Sequence, residues 1–162
     1  MATAQGIDAR YVNPFVASAM NAIVTLCGVE MQRGVPYVKS SAHRRLYDVS
    51  GGITLTGRIT GLVAINFTRP VICSLVTKML GEPVSTINQA VCDLVGEMAN
   101  TMAGTAKQYM AEADADFRIS LPMVVSGRFQ SHNYPPGVPC IVVPFKTAPG
   151  EFTIEVAVRV TK

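Results

Sequence analysis

The sequence predicts one α+β domain in which long helices cover one face of an antiparallel sheet. The main observation is a weak internal repeat, because the order helix, strand and apolar hairpin occurs twice along the chain. A second observation is the final segment, where apolar and polar residues alternate as in a half-buried strand. A chain of 162 residues can bury enough surface to fold without a disulfide or a metal, so residues 1–162 are expected to form a single domain.

The first half of the chain is predicted to contain a helix and a hairpin. Asn13 can cap a helix, Pro14 suits the first helical turn, and Gly28 is a typical helix end. The following segment is strand-like and becomes polar and basic over residues 39–45, which predicts a loop. Alternating apolar residues on both sides of a turn then predict a hairpin over residues 53–67.

Two further helices are predicted in the middle of the chain. The second helix begins at Thr68 and ends at Gly81. The third helix is the longest, since neither a proline nor a charge cluster interrupts it before about Ala113. Ser85 or Thr86 can cap its N-terminus.

The remainder of the chain is predicted to be β-structure. One strand covers residues 117–126 and is broken or bulged near Pro122, which cannot donate a ladder hydrogen bond. A strand over residues 140–145 turns back through residues 148–150 into the final strand. The apolar face of that final strand consists of Phe152, Ile154, Val156, Val158 and Val160.

The composition excludes several classes of protein. Charged residues make up 15% of the chain and the formal net charge is +3, whereas about 25% charged residues is usual for soluble domains. Such a chain is neither a disordered tail, nor a coiled-coil rod, nor a protein built to coat nucleic acid. The apolar fraction of 49% exceeds what one small domain needs, which indicates self-association.

The N-terminus and the cysteines are typical of a cytoplasmic protein. Residues 1–10 lack the basic start and apolar run of a signal peptide, and no apolar segment is long enough to cross a bilayer. The four cysteines form no Cys-x-x-Cys pair, so we expect single thiols in a reducing compartment and no zinc site. They are Cys27, Cys73, Cys92 and Cys140.

The third helix carries two contrasting faces. At 100° per residue, its predicted core stripe contains Ile87, Val91, Leu94, Met98, Met102, Thr105 and Tyr109. The opposite side is a narrow line of residues, here called the polar ridge: Asp93, Glu97, Asn100, Gly104 and Lys107. Gly104, and Gly96 beside the ridge, are unusual because glycine inside a helix costs about 1 kcal/mol relative to alanine. They indicate that another backbone approaches closely.

The polar ridge does not by itself identify a site. A Glu and an Asn three residues apart on a helix are usually solvated surface, and helix glycines often serve packing inside a domain. A second carboxylate for a glycosidase-type dyad is missing, and no histidine lies near the ridge in sequence. Chemistry at Glu97 and Asn100 would therefore complete a site supplied by another molecule. A carboxamide can orient a water for in-line attack on phosphorus.

The segment that contains the polar ridge resembles the signature of the CheC/CheX/FliY phosphatases. The signature is Asp93-x-x-x-Glu97-x-x-Asn100, within residues 92–104. The resemblance covers about residues 11–160, and its further motifs are Tyr11-Val12-Asn13-Pro14-Phe15, Asp48-Val49-Ser50-Gly51, Lys78-Met79-Leu80-Gly81 and Ser120-Leu121-Pro122. CheC-type members carry Glu-x-x-Asn on both long helices, whereas the first helix here has Ser18-x-x-Asn21. A single pair and the chain length indicate the CheX branch.

The resemblance implies a fold, an activity and an assembly. The fold is a CheC-like arrangement of helices on a six-stranded antiparallel sheet with internal pseudo-twofold symmetry, and the assembly is a homodimer. The activity is hydrolysis of the aspartyl phosphate on CheY or a similar response regulator. The partner supplies the phosphoryl group, the Mg²⁺ and a lysine, so the chain needs no cofactor of its own.

The resemblance also implies roles for individual residues. Asn100 would position the attacking water, and Glu97 would pair with the partner's lysine. Asp93 would support the docking geometry. Gly96 and Gly104 would let the regulator approach the helix. Lys107 would extend the ridge or contact the partner.

Two other functions stay open from the sequence. The first is a non-enzymatic docking module, since FliM-like members of the superfamily have the fold without the phosphatase pair. The second is nucleic-acid binding, suggested by a pI of about 8.8 and the basic run at residues 43–45. No aromatic stacking platform surrounds that run in the sequence, so we expect neither a nucleic-acid partner nor a membrane partner.

Overall fold

In the computed structural model of the chain, the residues described are 8–40, 46–111, 116–129, 132 and 134–161. They form helices on one face of a single antiparallel sheet, so the α+β prediction is confirmed. The α-helices are α1 (Asn13–Cys27), α2 (Arg69–Leu80) and α3 (Gln89–Ala111). The strands are β1 (Gln32–Arg33), β2 (Tyr37–Val38), β3 (Tyr47–Gly57), β4 (Ile59–Phe67), β5 (Phe117–Ile119), β6 (Met123–Phe129), β7 (Ile141–Thr147) and β8 (Gly150–Val160).

The sheet has the order β1-β7-β8-β4-β3-β5, with β2 also on β7 and β6 also on β3. The two predicted hairpins are β3–β4 and β7–β8, and they join through antiparallel pairing of β4 with β8. The eight strands of the described residues occupy six positions across the sheet, because two short strands share each edge position. The expectation of six strands therefore agrees with the number of positions. The predicted interruption near Pro122 separates β5 from β6.

The helix ends follow the sequence signals at most points. Gly28 and Gly81 both end their helices in the left-handed conformation, with φ of 63° and 73°. The capping prediction for Asn13 is wrong, since it lies inside α1, where its Oδ1 accepts a hydrogen bond from Arg33 at 3.5 Å. The prediction that Ser85 or Thr86 caps α3 is also wrong. Helix α3 begins at Gln89, and the Oδ1 atom of Asn88 accepts a hydrogen bond from the Val91 amide at 3.0 Å.

The main core lies between the helices and the inner face of the sheet. Phe152 stacks on Phe145 at a ring-centroid distance of 5.1 Å and packs against Phe67 at 5.2 Å. Val156 is 1% exposed, which confirms its predicted place on the buried face of β8. Val160 is 42% exposed, because the strand passes beyond the helices at its end.

The outer face of the sheet carries a buried polar cluster. Ser50 donates to the Asn66 amide oxygen at 2.5 Å, and its hydroxyl also lies 2.5 Å from Nε2 of His132. Glu155 pairs with Lys39 at 2.8 Å. It also accepts a hydrogen bond from the Tyr134 hydroxyl. Burial lowers the pKa of His132, so its neutral ring is favoured.

The four cysteines are free thiols in the structure. Cys27, Cys73 and Cys140 are buried free thiols and Cys92 is half-buried. Burial, followed by the Glu155 charge, raises the pKa of Cys140 to about 12, so this thiol stays protonated.

Helix α3 is described to Ala111, and its predicted end near residue 113 lies outside the described residues, as does the basic run at 43–45. Within the described chain, no helix has the length and apolarity required to span a membrane.

Substitution of Val156 by Asp should unfold the domain or prevent its assembly. An unpaired carboxylate in this core is expected to cost about 3–5 kcal/mol of the free energy of unfolding. Urea denaturation followed by circular dichroism measures the loss. The matched control is Val160→Asp, on the same face of β8 but exposed, which should change stability by less than about 0.5 kcal/mol. Equal stabilities for the two variants would contradict the assignment of the core face.

Candidate functional site

Helix α3 presents the polar ridge to solvent because its other face is held against β3. Val95 and Ala99 are fully buried on that other face. Gly51 of β3 makes the close approach possible, since an added Cβ would stand 3.0 Å from both the Ala99 Cβ and the Val95 carbonyl oxygen. Asp93, Glu97 and Asn100 are consequently exposed on the opposite side of the helix.

The predicted core stripe of α3 is correct in its middle and wrong at both ends. Ile87, its first residue, lies before α3 and is half-buried. Val91, Leu94, Met98 and Met102 are buried, as expected. Tyr109 is 56% exposed and Thr105 is half-buried. The buried positions in the last turns are instead Ala103, Ala106 and Met110. The small alanines let α3 approach its neighbours, and sequence periodicity underestimates small residues as core residues.

The two helix glycines have different surroundings. Gly96 is buried, and a Cβ added there would lie 3.3 Å from Val124 Cγ2 and 3.8 Å from Pro122 Cγ. The expectation that Gly96 opens the helix to a partner is therefore wrong, because it serves packing of α3 against β6 and the residues just before it. Gly104 is half-buried, and a Cβ added there would meet no atom within 4 Å. Only Gly104 leaves open space beside the ridge.

The polar side chains of the ridge differ in whether they have hydrogen-bond partners within the described chain. Asp93 Oδ1 accepts a hydrogen bond from Gln89 Nε2 at 2.7 Å, one helical turn earlier. Glu97 and Asn100 have no hydrogen-bond or ion-pair partner within the described parts of the chain. Lys107 is half-buried two turns after Asn100. The carboxylate of Glu97 and the carboxamide of Asn100 are thus available to another molecule.

A groove runs along one side of the ridge, between α1 and α3. We call it the α1–α3 groove, and its volume is about 260 Å³. Helix α1 contributes Asn21 and Thr25 to its walls, and helix α3 contributes Glu97, Thr101 and Thr105. Asn21 is the second residue of the Ser-x-x-Asn spacing noted in the sequence. No local sequence pattern predicts that Asn21 and Glu97 border one groove, because they lie on different helices that are far apart in the chain.

The chemistry available at this site is orientation and hydrogen bonding. Among the residues that the structure describes, no three His, Cys, Asp or Glu side chains are grouped as metal ligands would be. The pair of Ser50 and His132 is the described arrangement that most resembles a nucleophile and base. It is buried on the outer face of the sheet, away from α3, so it does not belong to the ridge.

Comparison with protein families and curated proteins gives consistent results. The family model described as "Chemotaxis phosphatase CheX" matches residues 49–146. The protein named CheY-P phosphatase CheX from Thermotoga maritima is 28% identical over 125 residues, which are 75% of this chain and 79% of the relative.

Solved structures with the same fold include two of particular interest. The chemotaxis protein CheX from Vibrio vulnificus is 33% identical, with a TM-score of 0.86 over 92% of this chain and 99% of that one. The CheX–CheY–BeF₃–Mg²⁺ complex from Borrelia burgdorferi contains a chain that is 21% identical, with a TM-score of 0.79 over 92% of this chain and 97% of that one. At 21% identity, this similarity shows that the two chains share a fold.

Substitutions at the two glycines should have opposite effects on stability. Gly96→Leu is expected to destabilise the domain by about 1–3 kcal/mol, because the side chain would overpack the contact with Val124. Gly104→Ala should stabilise it by up to about 1 kcal/mol, because alanine favours the helix and no atom opposes its Cβ. Urea midpoints of both variants, compared with the parent, test the pair. A parent-like midpoint for Gly96→Leu would show that this contact is not tight.

Proposed function

Because this chain belongs to the chemotaxis phosphatase CheX family, we propose that it hydrolyses the aspartyl phosphate of a CheY-type response regulator. By family it is a phosphatase, and the regulator is its proposed protein substrate. Loss of the phosphoryl group would return the regulator to its inactive form and end a chemotaxis signal or a related two-component signal.

The observation that carries the proposal is the pair of Glu97 and Asn100 on α3. Both side chains are exposed, and neither has a polar partner in the described chain. They project from a helix whose opposite face is fixed on β3 by Val95 and Ala99. A site on a rigid helix holds its groups more precisely than a site on a loop, which is what catalysis by positioning requires.

Asn100 is the proposed catalytic residue. Its carboxamide reaches the phosphoryl group in the partner's active site and holds a water in line with the bond from phosphorus to the aspartyl oxygen. The water oxygen forms the new bond to phosphorus while the bond from phosphorus to the aspartyl oxygen breaks. The aspartate leaves as its carboxylate, and the protons of the water stay with the inorganic phosphate that is released. Asn100 accepts and donates hydrogen bonds in this step and changes neither its charge nor its protonation.

Glu97 is the proposed docking residue. Its carboxylate pairs with a lysine of the regulator and fixes the distance between the two proteins, so that Asn100 reaches the phosphoryl group. The absence of any internal cation at Glu97 in the described chain supports this role, because the carboxylate needs no rearrangement before it binds.

Three further ridge positions have supporting roles in the proposal. Asp93 holds the start of the ridge through its hydrogen bond with Gln89 and lies where the regulator's edge would contact the helix. Gly104 leaves room for the partner's backbone beside α3. Lys107 extends the ridge beyond that gap. Mg²⁺ would be held by the partner's phosphorylated site, where it would neutralise developing charge, and this chain would contribute groups that position the reactants.

A homodimer is the proposed assembly. The low fraction of charged residues supports self-association, as do large apolar side chains left in solvent at the sheet edges. Leu121 is 88% exposed beside β6, and Val35 is 84% exposed between β1 and β2.

Asn100→Ala should remove catalysis while leaving the complex intact. We expect the rate constant kcat for phosphate loss from an Mg²⁺-bound phosphorylated regulator to fall about 100-fold or more. The Kd for the regulator with BeF₃⁻ and Mg²⁺ should change by less than about threefold. Gln108→Ala is the control, because it removes another exposed carboxamide of α3 and should leave kcat unchanged.

Each outcome of that experiment decides between specific alternatives. If binding and rate fall equally for Asn100→Ala, the residue serves docking and the water-positioning role is wrong. If the parent chain binds regulators but accelerates dephosphorylation of none of them, the non-enzymatic docking module becomes the better function.

Glu97→Ala should weaken docking as well as rate. We expect KM to rise about tenfold for Glu97→Ala and further for Glu97→Lys, because the charge pair is lost and then reversed. The KM of the parent should increase with salt, and that of Glu97→Ala should increase less. Glu82→Lys reverses an exposed charge outside the ridge and is the control. An unchanged Kd for Glu97→Lys would show that no partner cation pairs with this carboxylate.

A further inference from the structure

The α1–α3 groove has an unusual lining. Apart from Leu26 at one end, the residues that form it are small or polar. Its base includes Ala22, which is buried, and Ser18, whose hydroxyl already donates to the Pro14 carbonyl at 2.6 Å. These small side chains on α1 leave the space that the groove occupies.

The walls of the groove offer oxygen atoms and one negative charge. Asn21 contributes an amide oxygen, Glu97 contributes a carboxylate, and Thr25, Thr101 and Thr105 contribute hydroxyls. None of the lining residues that the structure describes carries a positive charge. Acceptor oxygens around one carboxylate favour a cationic group with several N–H donors.

The size of the groove points to a side chain as its occupant. Its volume of about 260 Å³ lies below the range of about 300–1,000 Å³ usual for small-molecule sites. The groove is also open along the helix pair, so a group must be held there by the surface that presents it. A long basic side chain on a docked protein satisfies both conditions, since its apolar stem can lie along the threonine methyl groups.

We propose that the α1–α3 groove receives a basic side chain of the phosphorylated regulator, and that Asn21 is a positioning residue that directs this side chain onto Glu97. This inference rests on the proposed function and extends the docking surface from α3 to α1. The groove is continuous with the proposed site, because Glu97 belongs to both.

Asn21 is the carboxamide that α1 contributes to the groove, and it is free for this role. It is exposed, and no polar partner for it is found in the described chain, whereas the Ser18 hydroxyl is already engaged. A carboxamide opposite a carboxylate holds an ammonium or guanidinium group between two helices. Contacts on both helices hold the basic side chain in place, so they strengthen binding of the regulator and leave the chemistry at Asn100 unchanged.

Charge substitutions at Asn21 test the proposal. In Asn21→Lys the chain's own ammonium would occupy the groove beside Glu97, so KM for the phosphorylated regulator should rise about tenfold or more. The kcat at saturating regulator should stay within about twofold of the parent, because Asn100 is untouched. Asn21→Asp adds a second carboxylate and should lower KM at low salt by about threefold or more.

Val24→Lys is the matched control. It adds the same charge to the same helix at a residue that is 49% exposed and lies outside the groove. Its KM should stay within about twofold of the parent. Circular dichroism melts of all three variants should match the parent, since the substituted residues are exposed.

The outcomes separate this inference from the function on which it rests. If Asn21→Lys and Val24→Lys raise KM equally, or if Asn21→Asp raises KM, the groove holds no basic side chain and the inference is wrong. If the parent binds the BeF₃⁻ and Mg²⁺ form of the regulator without accelerating phosphate loss, the proposed hydrolysis is wrong. In that case, the Kd values of the same variants for the regulator still test whether the groove receives a basic side chain. A parent that neither binds nor dephosphorylates a regulator overturns both.

Discussion

The antiparallel pairing of β4 with β8 is the interaction on which the rest of the structure depends. It runs over nine residue pairs, from Ile59 opposite Val160 to Phe67 opposite Phe152, and joins the two halves of the internal repeat. A two-stranded hairpin alone is marginally stable in water. Once β4 and β8 pair, the two hairpins become one sheet whose inner face can bury a common core under the helices.

The two halves also complete each other at the edges of the sheet. Strands β1 and β2 of the first half pair with β7 of the second, and β5 and β6 of the second half pair with β3 of the first. Because the short strands cross over in this way, α1 and α3 lie side by side. The α1–α3 groove and the polar ridge are products of this exchange, and Gly51 sets the depth at which α3 lies on β3.

The two faces of the sheet are buried by different kinds of contact. The inner face fixes the helices through apolar contacts, so the exposed pair of Glu97 and Asn100 has little freedom of placement. The outer face closes around the Glu155–Lys39 ion pair and the hydroxyl–imidazole contact of Ser50 with His132. This buried, hydrogen-bonded cluster fixes His132 and Tyr134 on the outer face of the sheet. The inner face therefore holds α3 so that Glu97 and Asn100 project from a rigid helix.

The sequence by itself determined the features that depend on near neighbours: the helix ends at Gly28 and Gly81, the two hairpins, and the line from Glu97 to Asn100 on one helix face. Helical and strand periodicity, glycine conformation and a short signature act over a few residues. Only the tertiary structure decided that Gly96 serves internal packing and that Asn21 faces the groove beside Glu97. Those facts arise from contacts between distant segments, which local preference does not encode.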